Sequence, residues 1–386
     1  MMEFTLTEEQ RMLRDTVANF AEKEIRPMAE EIDRTDTWPE GMWKKLGDLG
    51  VLGATIEPEY GGAGLDLLSG ALVGEELSKV SPSISISYGA HANLCCNNLK
   101  LNGTEEQKKK YLPPLCAGDQ VGALGLTEPN AGSDAVSIRT NARRDGDQYI
   151  VNGSKTFITN GVIADTIILY TKTDKDAGPK GITAFILDTK FPGFSVSRKL
   201  DKVGNRGSET GELVMEDCVI PKENILGKEN MGVAVLMRGL DLERAFLSTY
   251  CLGMAEGAFA EALKYSKERV QFGKPICSFQ LIQAKLADMW TLIEASRLLC
   301  YKACVMADSE TKGGKGTELH KLTAAAILFT GEAVDKVCND AIQIHGGYGY
   351  CMEYPVQRYW RDAKVNTIGA GTSEMRRLII ARELIQ

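Results

Sequence analysis

Apolar residues recur at helical spacing in both outer parts of this 386-residue chain and at strand spacing between them. Up to about residue 120, Met12, Leu13, Val17, Phe20 and Ala21 share one helical face. Thr7-Glu-Glu-Gln10 opens that stretch, and Thr104-Glu-Glu-Gln107 opens another before Tyr111 and Leu112. Both have the spacing of a capping box, in which hydroxyl and amide each satisfy a free backbone N–H of the first turn. Glu59-Tyr-Gly-Gly-Ala-Gly64 between them is a turn-rich connector. From about 121 to 232 the texture changes to short runs rich in β-branched and aromatic residues, at Gln148–Asn152, Thr166–Tyr170, Thr183–Leu187 and Gly193–Ser197. No helical pattern separates them, which predicts an antiparallel barrel or sandwich rather than a parallel sheet. From about 233 onward the helical period returns, with long amphipathic segments at 233–270, 278–308 and 318–343 that predict a bundle. The expected fold is α+β in three domains: helical over 1–120, β over 121–232 and a helical bundle over 233–386.

One position breaks the pattern. Leu236, Leu240, Phe246, Leu247 and Tyr250 all fall within roughly 60° of Glu243 on a helical wheel. An ionised carboxylate among such neighbours costs several kcal/mol unless it is compensated, and burial raises its pKa. A carboxylate tuned upward suits a general base near neutral pH. An ion pair with Arg244 or Arg238 is the other reading of the same pattern.

Composition narrows the classes. A net charge of −7 and the lack of a basic stripe interleaved with aromatics argue against nucleic acid. The opening residues have neither the basic and apolar segments of a secretory leader nor the Arg/Ser-rich character of a transit peptide. No run approaches the length of a membrane span, so a cytoplasmic protein is expected. The ten cysteines include no C-x-x-C pair, and the three histidines are scattered, which predicts reduced thiols and no metal. No G-x-G-x-x-G or Walker sequence occurs.

Four motifs carry more information: Leu126-Thr-Glu-Pro-Asn-Ala-Gly-Ser-Asp134, Asn152-Gly-Ser-Lys-Thr-Phe-Ile-Thr-Asn-Gly161, Arg269-Val-Gln-Phe-Gly-Lys-Pro-Ile276 and Gln343-Ile-His-Gly-Gly-Tyr-Gly349. In this order, and followed by Gly371-Thr-Ser-Glu374, they resemble the acyl-CoA dehydrogenase family of flavoenzymes along the whole chain. The resemblance implies a helical N-terminal domain, an antiparallel β middle domain and a C-terminal four-helix bundle, with FAD as cofactor. It places Leu126, Thr127, Ser133, Phe157, Thr159, Thr372 and Glu374 at the cofactor, with Phe157 and Thr159 read as neighbours on one face of an extended strand. It also places Arg269, Phe272, Gln280, Gln343, Gly346 and Gly347 at the cofactor, with Arg269 reaching across a subunit interface to the FAD pyrophosphate, so a homo-oligomer, usually a tetramer in the family, is implied.

Most family members carry the base immediately before the Gly-Thr-Ser of the last motif, where this chain has Ala370. A subset, the isovaleryl-CoA dehydrogenases, supplies it instead from a Gly-Leu-Asp-Leu-Glu-Arg segment, and Gly239–Arg244 reads so here. Glu243 is thereby implied as catalytic base, with Ser133, Arg244, Gly369, Ala370 and Gly371 at the acyl-CoA. A short branched acyl group such as isovaleryl is the expected substrate and an electron-transferring flavoprotein the expected acceptor. Val365-Asn366-Thr367 and Ser248–Cys251 depart from that subset and can line the acyl pocket. Alternatives are an alicyclic, terpenoid or dicarboxylic acyl-CoA, an acyl-CoA oxidase, or a scaffold without FAD. Glu374 is the rival base.

Overall fold

The computed structural model describes residues 5–310 and 313–385. Residues 1–4, part of the opening stretch read above for a leader, lie outside the described residues. The N-terminal part consists of α1 (Glu8–Phe20), α2 (Ala29–Thr35), α3 (Met42–Asp48), α4 (Leu67–Val80), α5 (Pro82–Gly89), α6 (Asn97–Asn102) and α7 (Glu105–Cys116). Both capping boxes form. Gln10 N donates to Thr7 Oγ1 at 3.2 Å while Thr7 N donates to Gln10 Oε1 at 3.1 Å, and Thr104 and Gln107 repeat the exchange at 3.0 and 3.2 Å. In α4 every residue except Lys79 is buried, because other helices cover it on all sides.

Eight strands follow as one sheet: β1 (Gly122–Gly125), β2 (Asn141–Asp145), β3 (Gln148–Ile158), β4 (Thr166–Lys172), β5 (Ile182–Asp188), β6 (Phe194–Lys199), β7 (Gly211–Pro221) and β8 (Ile225–Leu226). Their order is β6-β7-β3-β2-β4-β5-β8, with β1 on β4. The expectation of a wholly antiparallel sheet needs one correction. β1 runs parallel to β4, from Gly122 opposite Thr166 to Gly125 opposite Leu169, and β2 meets β4 in parallel at Asn141–Lys172. The physical reason is burial: β1 and β4 are apolar on both faces rather than alternating, as strands covered on both sides are.

The last part holds α8 (Gly232–Glu268), a hairpin of β9 (Val270–Gln271) and β10 (Lys274–Pro275), α9 (Gln280–Ser309), α10 (Glu318–His345), α11 (Val356–Ala363) and α12 (Ser373–Ile385). Among the described residues no helix is long and apolar enough to cross a membrane. At 37 residues α8 is about 55 Å long, and it joins every part of the molecule. Val235 and Leu236 pack with Ile168, Tyr170 and Ile182 of the sheet. Ala245 and Phe246 pack with Leu72 and Tyr88 of the N-terminal helices. Leu252, Ala255 and Ala258 pack with Met289, Ile327 and Val334 of the bundle. Glu243 lies between the first and second of these contacts.

Gly253 marks the closest crossing, since a Cβ there would meet the Glu75 carbonyl of α4 at 2.0 Å. Gly253→Ala is expected to destabilise the protein by about 1–3 kcal/mol, as overpacking against rigid backbone does. Thermal unfolding of the two proteins checks this.

Candidate active site

On α8 the neighbours of Glu243 are as the wheel requires: Leu236, Phe246 and Tyr250 are buried, and Leu240 and Leu247 partly so. Neither arginine pairs with Glu243. Arg244 Nη1 donates to Asp241 at 3.1 Å, and Asp241 is also held by His320 at 2.7 Å and by the Gly314 N–H at 2.6 Å. Among the described residues Glu243 has no ion pair, and Arg238 has none either. Glu243 keeps part of its surface open, yet protein crowds it closely enough that burial dominates its proton affinity. Burial pushes the carboxyl up to about 7, against the pull of the Arg244 and Arg376 cations. Tyr170, fully buried on β4, has its hydroxyl without a hydrogen-bond partner among the described residues; burial first and the nearby Glu243 carboxylate second push its pKa up. Glu374, the rival, is exposed at the start of α12, and its own backbone N–H and the Thr372 hydroxyl hold its carboxyl below the usual range.

A second candidate element is the turn between α11 and α12. Ala370 has φ +52° and Gly371 φ +92°, two successive left-handed residues. For alanine this conformation costs about 1 kcal/mol, so the turn is held by its surroundings. Arg376 does much of the holding. It is wholly buried, donating to the carbonyls of Asn366 at 2.6 Å, Gly369 at 2.7 Å and Ile327 at 3.4 Å. Among the described residues Ala370 and Gly371 donate their own N–H groups to no group of the chain.

In the middle domain, Glu128-Pro-Asn-Ala131 is a tight turn closed by hydrogen bonds of 3.1 and 3.0 Å between its ends. A buried ion pair braces it: Lys155 Nζ contacts Glu128 at 2.8 Å and the Leu126 carbonyl at 3.0 Å, while Glu128 accepts from the Arg139 and Thr140 N–H groups. Leu126 is buried, Thr127 half-buried and Ser133 exposed beside this turn. Phe157 and Thr159 require a correction. They do not share the face of an extended strand, because Phe157 has φ +59° in a bulge and Thr159 lies in the turn after β3. The extra residue turns the Phe157 ring outward, where it is 68% exposed.

The remaining candidates gather at the far end of α8. Arg269 stacks on Tyr348 with 5.2 Å from guanidinium to ring. Phe272, at φ +51° in the β9–β10 turn, is 93% exposed. Gln280, Gln343, Gly346 and Gly347 are exposed, and a Cβ on either glycine would meet nothing within 4 Å. Arg269 follows Glu243 by about 39 Å of helix axis, so one chain does not bring all the candidates together. Bare glycine backbone, an arginine fork and two outward aromatic rings fit the phosphates and flat ring system of a flavin dinucleotide.

Sequence reasoning missed Tyr170, Arg376 and the Lys155–Glu128 brace. Arg376 was findable by the wheel argument that singled out Glu243, since Ile379 and Ile380 follow at helical spacing. The Tyr170 hydroxyl left no trace, because a tyrosine in an apolar strand is ordinary core.

Comparison with known proteins shows the family. Residues 7–119, 123–218 and 230–385 match the family models described as Acyl-CoA dehydrogenase, N-terminal domain, middle domain and C-terminal domain. The chain belongs to the acyl-CoA dehydrogenase family. It is therefore an FAD-dependent oxidoreductase. The mitochondrial isovaleryl-CoA dehydrogenase of Solanum tuberosum is 49% identical over 98% of this chain and 90% of that protein. Among solved structures, butyryl-CoA dehydrogenase from Megasphaera elsdenii superposes with a TM-score of 0.96 at 43% identity, covering all of both chains. A chain solved in work on the electron transferring flavoprotein of Acidaminococcus fermentans and flavin-based electron bifurcation has a TM-score of 0.96 at 46% identity, again over all of both chains.

Because burial raises the Glu243 pKa above that of an unfolded glutamate, the folded protein holds this proton where the unfolded chain has lost it. Stability from this group is complete below about pH 4.5 and declines as pH rises to about 7. Glu243→Gln is expected to raise stability at pH 8 by on the order of 3 kcal/mol, and the gain is expected to vanish in acid. Denaturant unfolding at the two pH extremes measures it.

Proposed function

We propose that this acyl-CoA dehydrogenase oxidises a short branched acyl-CoA, isovaleryl-CoA first, to the 2-enoyl-CoA, with Glu243 as the base. The observation that carries the reading is an unpaired, half-buried carboxylate on α8, crowded closely enough by protein to raise its pKa, in a chain with alanine at position 370. Bound FAD supplies the two-electron acceptor that takes the β-hydrogen as hydride. The chain does the rest. Glu243, deprotonated above about pH 7, takes the α-proton. The unengaged N–H groups of Ala370 and Gly371 are suited to polarise the thioester carbonyl, which acidifies that proton. Leu240 and Leu247 flank the base with hydrocarbon and keep water away. Ser133 and Arg244 are assigned to the CoA portion.

Two features support a short, branched acyl group. The single methyl of Ala370 leaves width beside the base. Phe246, one turn beyond Glu243, lies with its ring 3.1–4.0 Å from where Cβ atoms would stand on Gly70, Gly74 and Gly89, and so limits depth. A straight short chain is the second reading, favoured by the likeness to butyryl-CoA dehydrogenase. The separation of Arg269 from Glu243 supports a homo-oligomer, tetrameric as in the family, in which each cofactor is shared between two subunits. An electron-transferring flavoprotein is the proposed acceptor, supported by the Acidaminococcus fermentans likeness.

Anaerobic titration of the flavin absorbance with isovaleryl-CoA and butyryl-CoA tests the reading. Bleaching is expected with both, faster with isovaleryl-CoA, and slowed at least about a hundredfold in Glu243→Gln. Bleaching that survives the substitution moves the base to Glu374. Faster bleaching with butyryl-CoA keeps the mechanism and overturns the branched substrate.

A further inference from the structure

Phe246 follows Glu243 by three residues on α8, a spacing that sets their Cβ atoms about 5–6 Å apart on one flank of the helix. Its ring is buried in a cradle of bare backbone. A Cβ added to Gly74 of α4 would stand 3.2 Å from ring atoms Cε1 and Cζ, and one added to Gly89 of α5 would stand 3.1 Å from Cε1. At the other edge of the ring, a Cβ on Gly70 would meet Cε2 at 4.0 Å. Glycine is a poor helix former, so three of them around one ring mark a seat shaped to hold it. Tyr88 closes the seat, with its ring 5.7 Å from that of Phe246 and its hydroxyl donating to the Gly70 carbonyl at 3.2 Å. Beside the ring the protein leaves a slot of about 170 Å³, bordered by Thr55, Gly70, Tyr88, Asn93, Asn97 and Phe246, and too narrow throughout for a water molecule. The polar side of this border is already satisfied: Thr55 Oγ1 donates to Asn97 Oδ1 at 2.7 Å, and Asn97 Nδ2 to Asn93 Oδ1 at 2.9 Å. Every other residue on the border belongs to the N-terminal helices and their connectors, whereas Phe246 comes from the helix of the base.

We propose that Phe246 is a specificity-determining residue, a stopper between the acyl group held beside Glu243 and the slot among the N-terminal helices. Chain length is then set by one ring and not by the walls behind it. The inference rests on the reading of Glu243 as the base of a short-chain enzyme, and deepens it by naming what is refused: hexanoyl and longer straight chains. Backbone of α4 and α5 bounds the ring at near-contact distances, so a longer chain cannot press it aside without moving a helix. A short acyl group, branched or straight, ends before the ring and is unaffected by it. Removing the ring joins its volume to the slot. A cavity on the order of 150 Å³ opened by such a change in an apolar surround stays dry and takes up a benzene-sized group, which is room for about four more carbons of acyl chain. The bordering amides and hydroxyl are hydrogen-bonded to one another, so hydrocarbon can lie along them without leaving a new polar group unpaired.

The test is the rate of anaerobic flavin reduction by butyryl-, hexanoyl- and octanoyl-CoA, compared in full-length, flavin-loaded wild type, Phe246→Ala, Phe246→Leu and Glu243→Gln. The readout is the ratio of rates between chain lengths within one protein, which general damage to the fold leaves unchanged. A methylene that gains or loses a hydrophobic seat changes discrimination by about tenfold or more. Wild type is therefore expected to slow steeply from butyryl to octanoyl. In Phe246→Ala the hexanoyl-to-butyryl ratio is expected to rise at least about tenfold, with octanoyl-CoA now oxidised. Phe246→Leu is expected to gain hexanoyl-CoA only. Ratios that stay at the wild-type values in both variants overturn the proposal. If Phe246→Ala does not retain flavin, an unchanged hexanoyl ratio in Phe246→Leu overturns it alone. Wild type that reacts as fast with octanoyl- as with butyryl-CoA removes both the stopper and the short-chain reading. Reduction that persists in Glu243→Gln sinks the base assignment and the proposal built on it. Loss of reduction there, with unchanged ratios in the Phe246 variants, sinks only the role of Phe246.

Discussion

The candidate site depends on crowding one carboxylate with protein without giving it a partner. An acid on the packed face of a helix is ordinarily paired, because an uncompensated buried charge costs several kcal/mol. Here the neighbouring acid Asp241 takes Arg244, His320 and a backbone N–H, and so removes the obvious partner from Glu243. Burial then raises the proton affinity of Glu243 to near neutrality, where a base is both available and strong enough to act. The stability forgone at this residue is a cost the rest of α8 must carry.

α8 carries it by contacting everything. Its first turns lie against the sheet, its middle against α4 and α5, and its second half inside the bundle. A helix fixed at three places along about 55 Å holds a side chain in its middle with little freedom. The geometry also separates the chemistry from the cofactor's outer anchor. Glu243 sits in the middle of α8, whereas Arg269 stands half-buried and Phe272 and the Gly346–Gly347 backbone exposed at its far end. The same rigidity that fixes Glu243 keeps it far from Arg269 within one chain.

The turn before α12 is the complementary element. Ala370 and Gly371 adopt left-handed conformations that leave two N–H groups unused, and Arg376 holds the preceding carbonyls.

Much of this was legible along the chain. Hydrophobic period alone located the three long helices, the β texture of the middle and the anomaly at Glu243, because period is a local property of consecutive side chains. Both capping boxes were readable for the same reason: donor and acceptor lie three residues apart. The motifs carried the family. What local pattern could not carry was anything set by residues distant in sequence. The parallel pairing of β1 with β4 follows from which faces end up covered, and the outward turn of Phe157 from a bulge against β7. The wheel could say that Glu243 faces hydrocarbon, but whether it would be paired depended on Asp241 taking Arg244. Sequence determined the elements and the chemistry available to them. Tertiary structure decided which charges were left without partners, because electrostatic compensation is summed over neighbours in space.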